Sequence, residues 1–213
     1  LLILSAILMA IAVQAKNYSI STPNTTLIVT ATEGKPLLFR YYGTRAEMSD
    51  IFAAGRTVKQ EAYPAYGTYC EKPFASLVKQ HDGDNAVNFV VEKVEQGTVD
   101  GLSKLTISLR DTAHPTLLVK VNYSAYSDCD IVKMNTEYIN EGKKPVVLQK
   151  YMSAVLPLQS DNCVLLHLDG TTKNEFNEHI EPLSNGVKII STQAGSQVSK
   201  HVNASFMLGL DGR

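Results

Sequence analysis

An all-β antiparallel sandwich is the fold class predicted, and three observations predict it. Apolar and polar side chains alternate with a period of two in run after run. Turn-forming residues separate those runs. In addition, no segment of the 213 residues sustains a 3.6-residue apolar stripe for three helical turns. Successive side chains of a strand point to opposite faces, so alternation marks a sheet with one covered face.

Taken in order, the first clear run is Leu27–Ala31, followed by Val87–Val94. Leu105-Thr106-Ile107-Ser108-Leu109-Arg110 sets three apolar side chains on one face. Leu117, Val119, Val121 and Tyr123 share a face against Lys120, Asn122 and Ser124, and Val132, Met134, Thr136 and Tyr138 alternate with Lys133, Asn135 and Glu137. Further runs occupy Val146–Met152, Val164–Leu168 and Val187–Ser191. Turn chemistry lies between them at Asp82-Gly83-Asp84, Asp100-Gly101, His114-Pro115, Asn140-Glu141-Gly142, Asp169-Gly170 and Asn185-Gly186, where Gly and Asn tolerate positive φ. Gly43 to Pro73 breaks the rhythm, with weak periodicity but Phe52, Tyr63, Tyr66 and Tyr69 within it. A connection of that length is either a functional lid or binding loop, or a strap packing its own tyrosines over the sheet edge.

Leu1 to Val13 is apolar apart from Ser5, and Val13 and Ala15 place small residues before Lys16. This is the pattern of a signal peptide over residues 1–15, clipped at its N-terminus, with a sandwich domain over 16–213. Such a run is shorter than the roughly 20 residues needed to span a bilayer. A buried core strand or helix is the alternative.

The formal charge is −1, and no run of Lys or Arg exceeds two residues. Neither nucleic acid nor an anionic membrane surface is therefore an expected partner. Three cysteines, Cys70, Cys129 and Cys163, allow at most one disulfide and match no zinc spacing. No metal or cofactor is expected. Such sparse cysteine suits a bacterial exported protein. Asn17-Tyr18-Ser19, Asn24-Thr25-Thr26, Asn122-Tyr123-Ser124 and Asn203-Ala204-Ser205 are glycosylation acceptors only in a host with that machinery.

Catalytic motifs are missing. There is no Gly-x-Ser-x-Gly elbow, no His-Glu-x-x-His, no P-loop and no Gly-x-Gly-x-x-Gly, and Ala194-Gly195-Ser196 reads as a turn. His81, His114, His167, His179 and His201 have no ligand spacing. His167 stands opposite Val164, Leu166 and Leu168, which predicts that it faces solvent or a neighbouring domain. Asp128 and Asp130 flank Cys129 beside a turn, where solvated carboxylates are the ordinary expectation over a glycosidase pair. No residue of the chain is assigned a catalytic role.

Several strings, in order, resemble the N-terminal domain of family 36 glycoside hydrolases, the bacterial α-galactosidases of melibiase and raffinose type. They begin with Phe39-Arg40-Tyr41-Tyr42-Gly43 and Glu61-Ala62-Tyr63-Pro64-Ala65-Tyr66-Gly67. Leu105–Asp111 and Val119–Tyr126 follow, then Asn140-Glu141-Gly142 with Ser153–Pro157. Leu168-Asp169-Gly170 with Glu175, and Gly195-Ser196 with His201 and Asn203, complete a likeness over roughly residues 25 to 208. Two departures stand out. Thr68–Pro73 lacks the family's Asp and Arg, and Thr172 replaces its Trp.

The resemblance implies an antiparallel β-supersandwich, galactose-mutarotase-like and incomplete at its C-terminal edge. It implies that the catalytic aspartates of a retaining mechanism belong to a following (β/α)₈ barrel, absent from this chain. Asp50 and Tyr66, in the Gly43–Pro73 loop, become candidate substrate-binding residues at the mouth of that site. The implied partners are an α-galactoside, the protein's own barrel and further copies of itself, and the implied location is periplasmic or extracellular. Two alternatives stay open: a free-standing carbohydrate-binding module, and an aldose-epimerase-like enzyme using a His and a Glu as acid and base.

Overall fold

The computed structural model describes residues 14–67, 75–158, 162–171, 173–184, 186–191 and 201–210. Residues 1–13, with Thr68–Pro73, Cys70, Thr172, Asn185 and Ala194-Gly195-Ser196, lie outside them. The chain divides into two compact units, Leu1–Pro157 and Leu158–Arg213.

Two four-stranded antiparallel sheets and one two-stranded sheet lie in the first unit. One has the order β1 (Lys16–Ser21), β2 (Thr25–Ala31), β3 (Leu38–Thr44) and β4 (Gln60–Glu61). The helix α1 (Met48–Ala53) falls between β3 and β4, and β5 (Ser76–Lys79) follows them. The second sheet is a meander of β6 (Phe89–Val99), β7 (Leu102–Asp111), β8 (Leu117–Ala125) and β9 (Val132–Asn140). β10 (Val147–Tyr151) pairs antiparallel with β5.

The expected alternation holds where it was clearest. Leu105, Ile107 and Leu109 of β7 and Leu117, Val119, Val121 and Tyr123 of β8 are buried in one cluster. That cluster also takes Leu27, Val29 and Phe39 from the other sheet. Each such side chain contributes about 1.5–3 kcal/mol by leaving water. Asp100 and Gly101 link β6 to β7 with φ of 53° and 77°, the left-handed pair that a two-residue hairpin requires.

One irregularity in the first sheet positions the candidate site. Ile28 pairs with Tyr41 and Val29 with Phe39, so Arg40 is left over as a bulge. A bulge re-aims the side chains around it. Phe39 therefore enters the inter-sheet core, while Tyr41 joins Ile28 in a separate cluster on the other face.

The second unit is a three-stranded antiparallel sheet. Its strands are β11 (Cys163–Thr171), β12 (Asn174–Pro182) and β13 (His201–Leu210), with β11 in the middle. Three expectations are corrected here. Asp169-Gly170 is not a turn but part of β11, beside a register shift, with Thr171 pairing Asn174 one step later. A Cβ on Gly170 would lie 2.7 Å from the Asn174 carbonyl oxygen, so close backbone approach explains this glycine. Val187–Ser191 is not a strand. Val187 and Ile189 do share a parity, but they are 86% and 74% exposed, and alternation without a pairing edge makes no ladder. His167 is buried rather than solvent-facing, because Cys163, Leu165 and His167 form the covered face of β11.

Candidate functional site

The segment from Gly43 is a strap wrapped around the edge of the first sheet. It begins at Tyr41, whose hydroxyl donates to the Thr44 carbonyl at 2.8 Å. A Cβ on Gly43 would stand 2.8 Å from that hydroxyl, which accounts for a glycine after the two tyrosines. Helix α1 then lies on the outer face, its Ile51 buried against Ile28 and Tyr41. The Arg40 guanidinium covers the Phe52 ring at 5.1 Å and donates to Thr57 Oγ1 at 3.2 Å, tying the helix to the bulge.

Past β4 the strap turns inward. Ala62, Tyr63 and Ala65 belong to the main core. Tyr63 Oη donates to the Met152 carbonyl at 2.8 Å and, being so committed, accepts from Tyr138 Oη at 2.8 Å. The Met152 carbonyl also accepts from Thr136 Oγ1 at 2.8 Å. Burial raises the pKa of Tyr138 above the ordinary tyrosine value, and the Tyr63 hydroxyl adds to that. The strap leaves the core at Tyr66, whose N–H donates to Ser76 O at 2.9 Å and whose carbonyl accepts from Val87 N at 3.0 Å. Gly67 follows with φ of 108°, its missing Cβ leaving room for the Ala86 backbone at 2.8 Å.

The two candidate residues therefore stand on different stretches of one strap. Asp50 is exposed in the first turn of α1, 3.3 Å from Ser49 Oγ. Tyr66 lies beyond the core-crossing stretch, with its side chain 42% exposed. The self-packing reading of this connection describes Tyr63 and the Ile51 side of α1, whereas Asp50 and Tyr66 are exposed. Tyr69 lies outside the described residues.

Asp128 and Asp130 have different principal contacts. Asp130 Oδ1 accepts from Thr22 Oγ1 at 2.7 Å and from Asn24 N at 2.8 Å, and its Oδ2 accepts from the Asn24 side chain. These bonds, the Asn24 side chain foremost, hold its carboxyl below the ordinary range. Asp130 thus staples the β1–β2 turn to the β8–β9 connection. Asp128 instead acts on Cys129, whose pKa is raised by burial first and by that carboxylate second.

A titratable cluster that sequence reading missed lies in the second unit. His167 and His179 pair across β11 and β12 and stack with centroids 4.9 Å apart at 14°. His167 Nε2 is 3.1 Å from Glu181 Oε1, and His179 Nε2 is 2.9 Å from Asp169 Oδ2. Glu181 also accepts from Lys188, which, with His167, lowers its pKa. The hydrogen bond to His179 lowers that of Asp169. The spacing 167, 169, 179, 181 becomes meaningful only once the register is known. A cavity of about 300 Å³, lined by Leu165, Glu181, Ser184, Val187 and Lys188 among others, adjoins it. Among the described residues, no group of three or more His, Cys, Asp or Glu is arranged to hold a metal ion.

The geometry describes an antiparallel β-sandwich crossed by a partly buried strap. The chain belongs to the glycosyl hydrolase family 36 N-terminal domain family, whose model matches residues 27–212. It is 26% identical over 175 residues to the α-galactosidase Mel36A of Lactobacillus acidophilus, covering 73% of this chain and 24% of that enzyme. The α-galactosidase of Lactobacillus brevis has a similar solved fold, with a TM-score of 0.78 at 19% identity over 92% of this chain and 31% of that one. So does AgaA of Geobacillus stearothermophilus, with a TM-score of 0.80 at 17% identity, over 92% of this chain and 32% of that one. The chain thus spans 24–32% of the length of these relatives.

Proposed function

We propose that this chain is the non-catalytic N-terminal sandwich of an exported, retaining α-galactosidase that removes terminal α-linked galactose. The nucleophile and acid/base aspartates then belong to a following barrel. The family match over residues 27–212 carries this reading. The employment of the chain's own carboxylates supports it, since Asp130 staples two turns while Glu92 and Glu141 clamp Arg110 at 2.8 and 2.5 Å. Similar folds occur in AgaA complexes with raffinose and with stachyose, which makes raffinose-type oligosaccharides the substrates to try.

In this reading the sandwich buttresses the barrel and contributes to contacts between copies. Its strap walls the substrate entrance, where Asp50 offers a carboxylate to sugar hydroxyls and Tyr66 a flat ring with a hydroxyl. Export places the enzyme in the periplasm or outside the cell, which fractionation of expressing bacteria checks.

Two measurements separate this function from its rivals. Calorimetric titration of the chain with raffinose is expected to show no saturable binding; a one-to-one isotherm would make it a binding module. A mutarotation assay on galactose is expected to show only the spontaneous rate, and acceleration abolished by substituting a histidine would make it an epimerase.

A further inference from the structure

At one end of the first unit, His114 lies between two carboxylates from different turns. Its Nδ1 is 3.3 Å from Asp111 Oδ2 and its Nε2 is 3.3 Å from Asp82 Oδ2. Asp111 closes β7 and is fully buried. Its Oδ1 accepts the backbone N–H of Asn88 at 3.1 Å and of Ala113 at 3.2 Å. Its Oδ2 is buried and finds no hydrogen-bond partner, and the same holds for His114 Nδ1. Among the described residues, each of these two atoms is therefore offset by the charge of the other.

A neutral imidazole has one N–H and one lone pair, so it cannot present a donor to carboxylates on both sides. Only the imidazolium can. We propose that His114 is held as an imidazolium between Asp111 and Asp82, forming a pH-operated clasp between the β5–β6 turn and the β7–β8 turn. Burial alone would lower the His114 pKa, but the hydrogen bond to Asp82 and the charge of Asp111 outweigh it, and the net shift is upward. The same contact helps to lower the pKa of Asp82, after the Asp84 backbone N–H.

The other charges around the clasp are accounted for. His81, beside Asp82, has its Nε2 3.0 Å from Lys144 Nζ. Arg110 donates to the Pro115 carbonyl at 2.8 Å and is held by Glu92 and Glu141. No step of the proposed galactoside chemistry uses these residues, and the clasp does not rest on that function.

The sign follows from the raised value. The contribution is fully present below the ordinary histidine value of 6.5 and is lost as pH rises through the folded value. NMR titration of the ring nitrogens, assigned with His114→Asn, is expected to place His114 above 6.5. Asp82→Asn is expected to lower that midpoint without unfolding the protein, since Asp82 is exposed. The melting-temperature gap between the protein and His114→Asn is expected to be widest in mild acid and to close as His114 deprotonates. A midpoint at or below 6.5, or one that Asp82→Asn leaves in place, overturns the clasp. Should His114→Asn not fold, the Asp82→Asn titration decides alone, with the ring signals assigned through bonds.

Discussion

Ile107 in β7 and Ile180 in β12 sit in antiparallel strands of similar length, yet the first is fully buried and the second is 59% exposed. The contrast extends to whole sheets. In the first unit two sheets close on one apolar cluster, with Phe39, Phe89, Ile107 and Tyr123 inside it. In the second, Phe176, Ile180, Phe206 and Met207 remain largely exposed. Both strands lie in antiparallel ladders, β7 with β6 and β8 and β12 with β11, so being paired does not by itself bury a side chain. Covering a face requires a second layer, and among the described residues the first unit supplies both layers from its own strands while the second shows a single sheet.

Large-to-small substitutions test this contrast most strongly. Phe39→Ala is expected to remove about 3–5 kcal/mol in urea denaturation. Phe206→Ala, at a site 58% exposed, is expected to stay within about 0.5 kcal/mol. A loss at Phe206 matching that at Phe39 would break the comparison.

Backbone packing reverses the order of the units. Gly170→Ala, in the second unit, drives a methyl to within 2.7 Å of a carbonyl oxygen, with an expected cost of about 1–3 kcal/mol. Gly97→Ala, in the first, meets nothing within 4 Å and is expected to be neutral or slightly stabilising in thermal melts. Smaller again, Tyr63→Phe removes the hydroxyl joining Tyr138 to Met152 and is expected to cost about 1 kcal/mol, leaving the fold intact by circular dichroism. Acid provides the gentlest test. Because the folded pKa of Asp130 is depressed, its contribution is present above the ordinary carboxylate value of 3.8 and fades as pH falls through the lower folded value. Asp130→Asn should flatten that part of the acid-stability curve, as read by melting temperature against pH.

How much of this was legible in the residues differs between the units for the same reason. The alternation in Leu105–Arg110, Leu117–Tyr123 and Val132–Tyr138 names strands whose inner face is covered, and the structure has them as β7, β8 and β9. β12 reads Asn-Glu-Phe-Asn-Glu-His-Ile-Glu-Pro, an edge strand too polar for its alternation to show. In β11 both parities carry apolar residues, so alternation separates His167 from Val164, Leu166 and Leu168 without telling which of the two faces is the more buried. Six-residue α1 is too short for a helical period to emerge.

In the candidate site, the strings ending at Gly43 and Gly67 were visible, and their reasons were not. Those reasons are a tyrosine hydroxyl and a backbone pressed against two missing Cβ atoms. The His167–His179 stack and the His167–Glu181 and His179–Asp169 contacts depend on a register that only the folded sheet defines.

Turnover of nitrophenyl α-galactoside by this chain, beside a full-length family 36 α-galactosidase, tests the central claim most directly. A scaffold whose carboxylates serve its own turns leaves the substrate intact at any protein concentration while the full-length enzyme releases nitrophenol. Release that scales with the amount of this chain, and survives its further purification, would contradict the account.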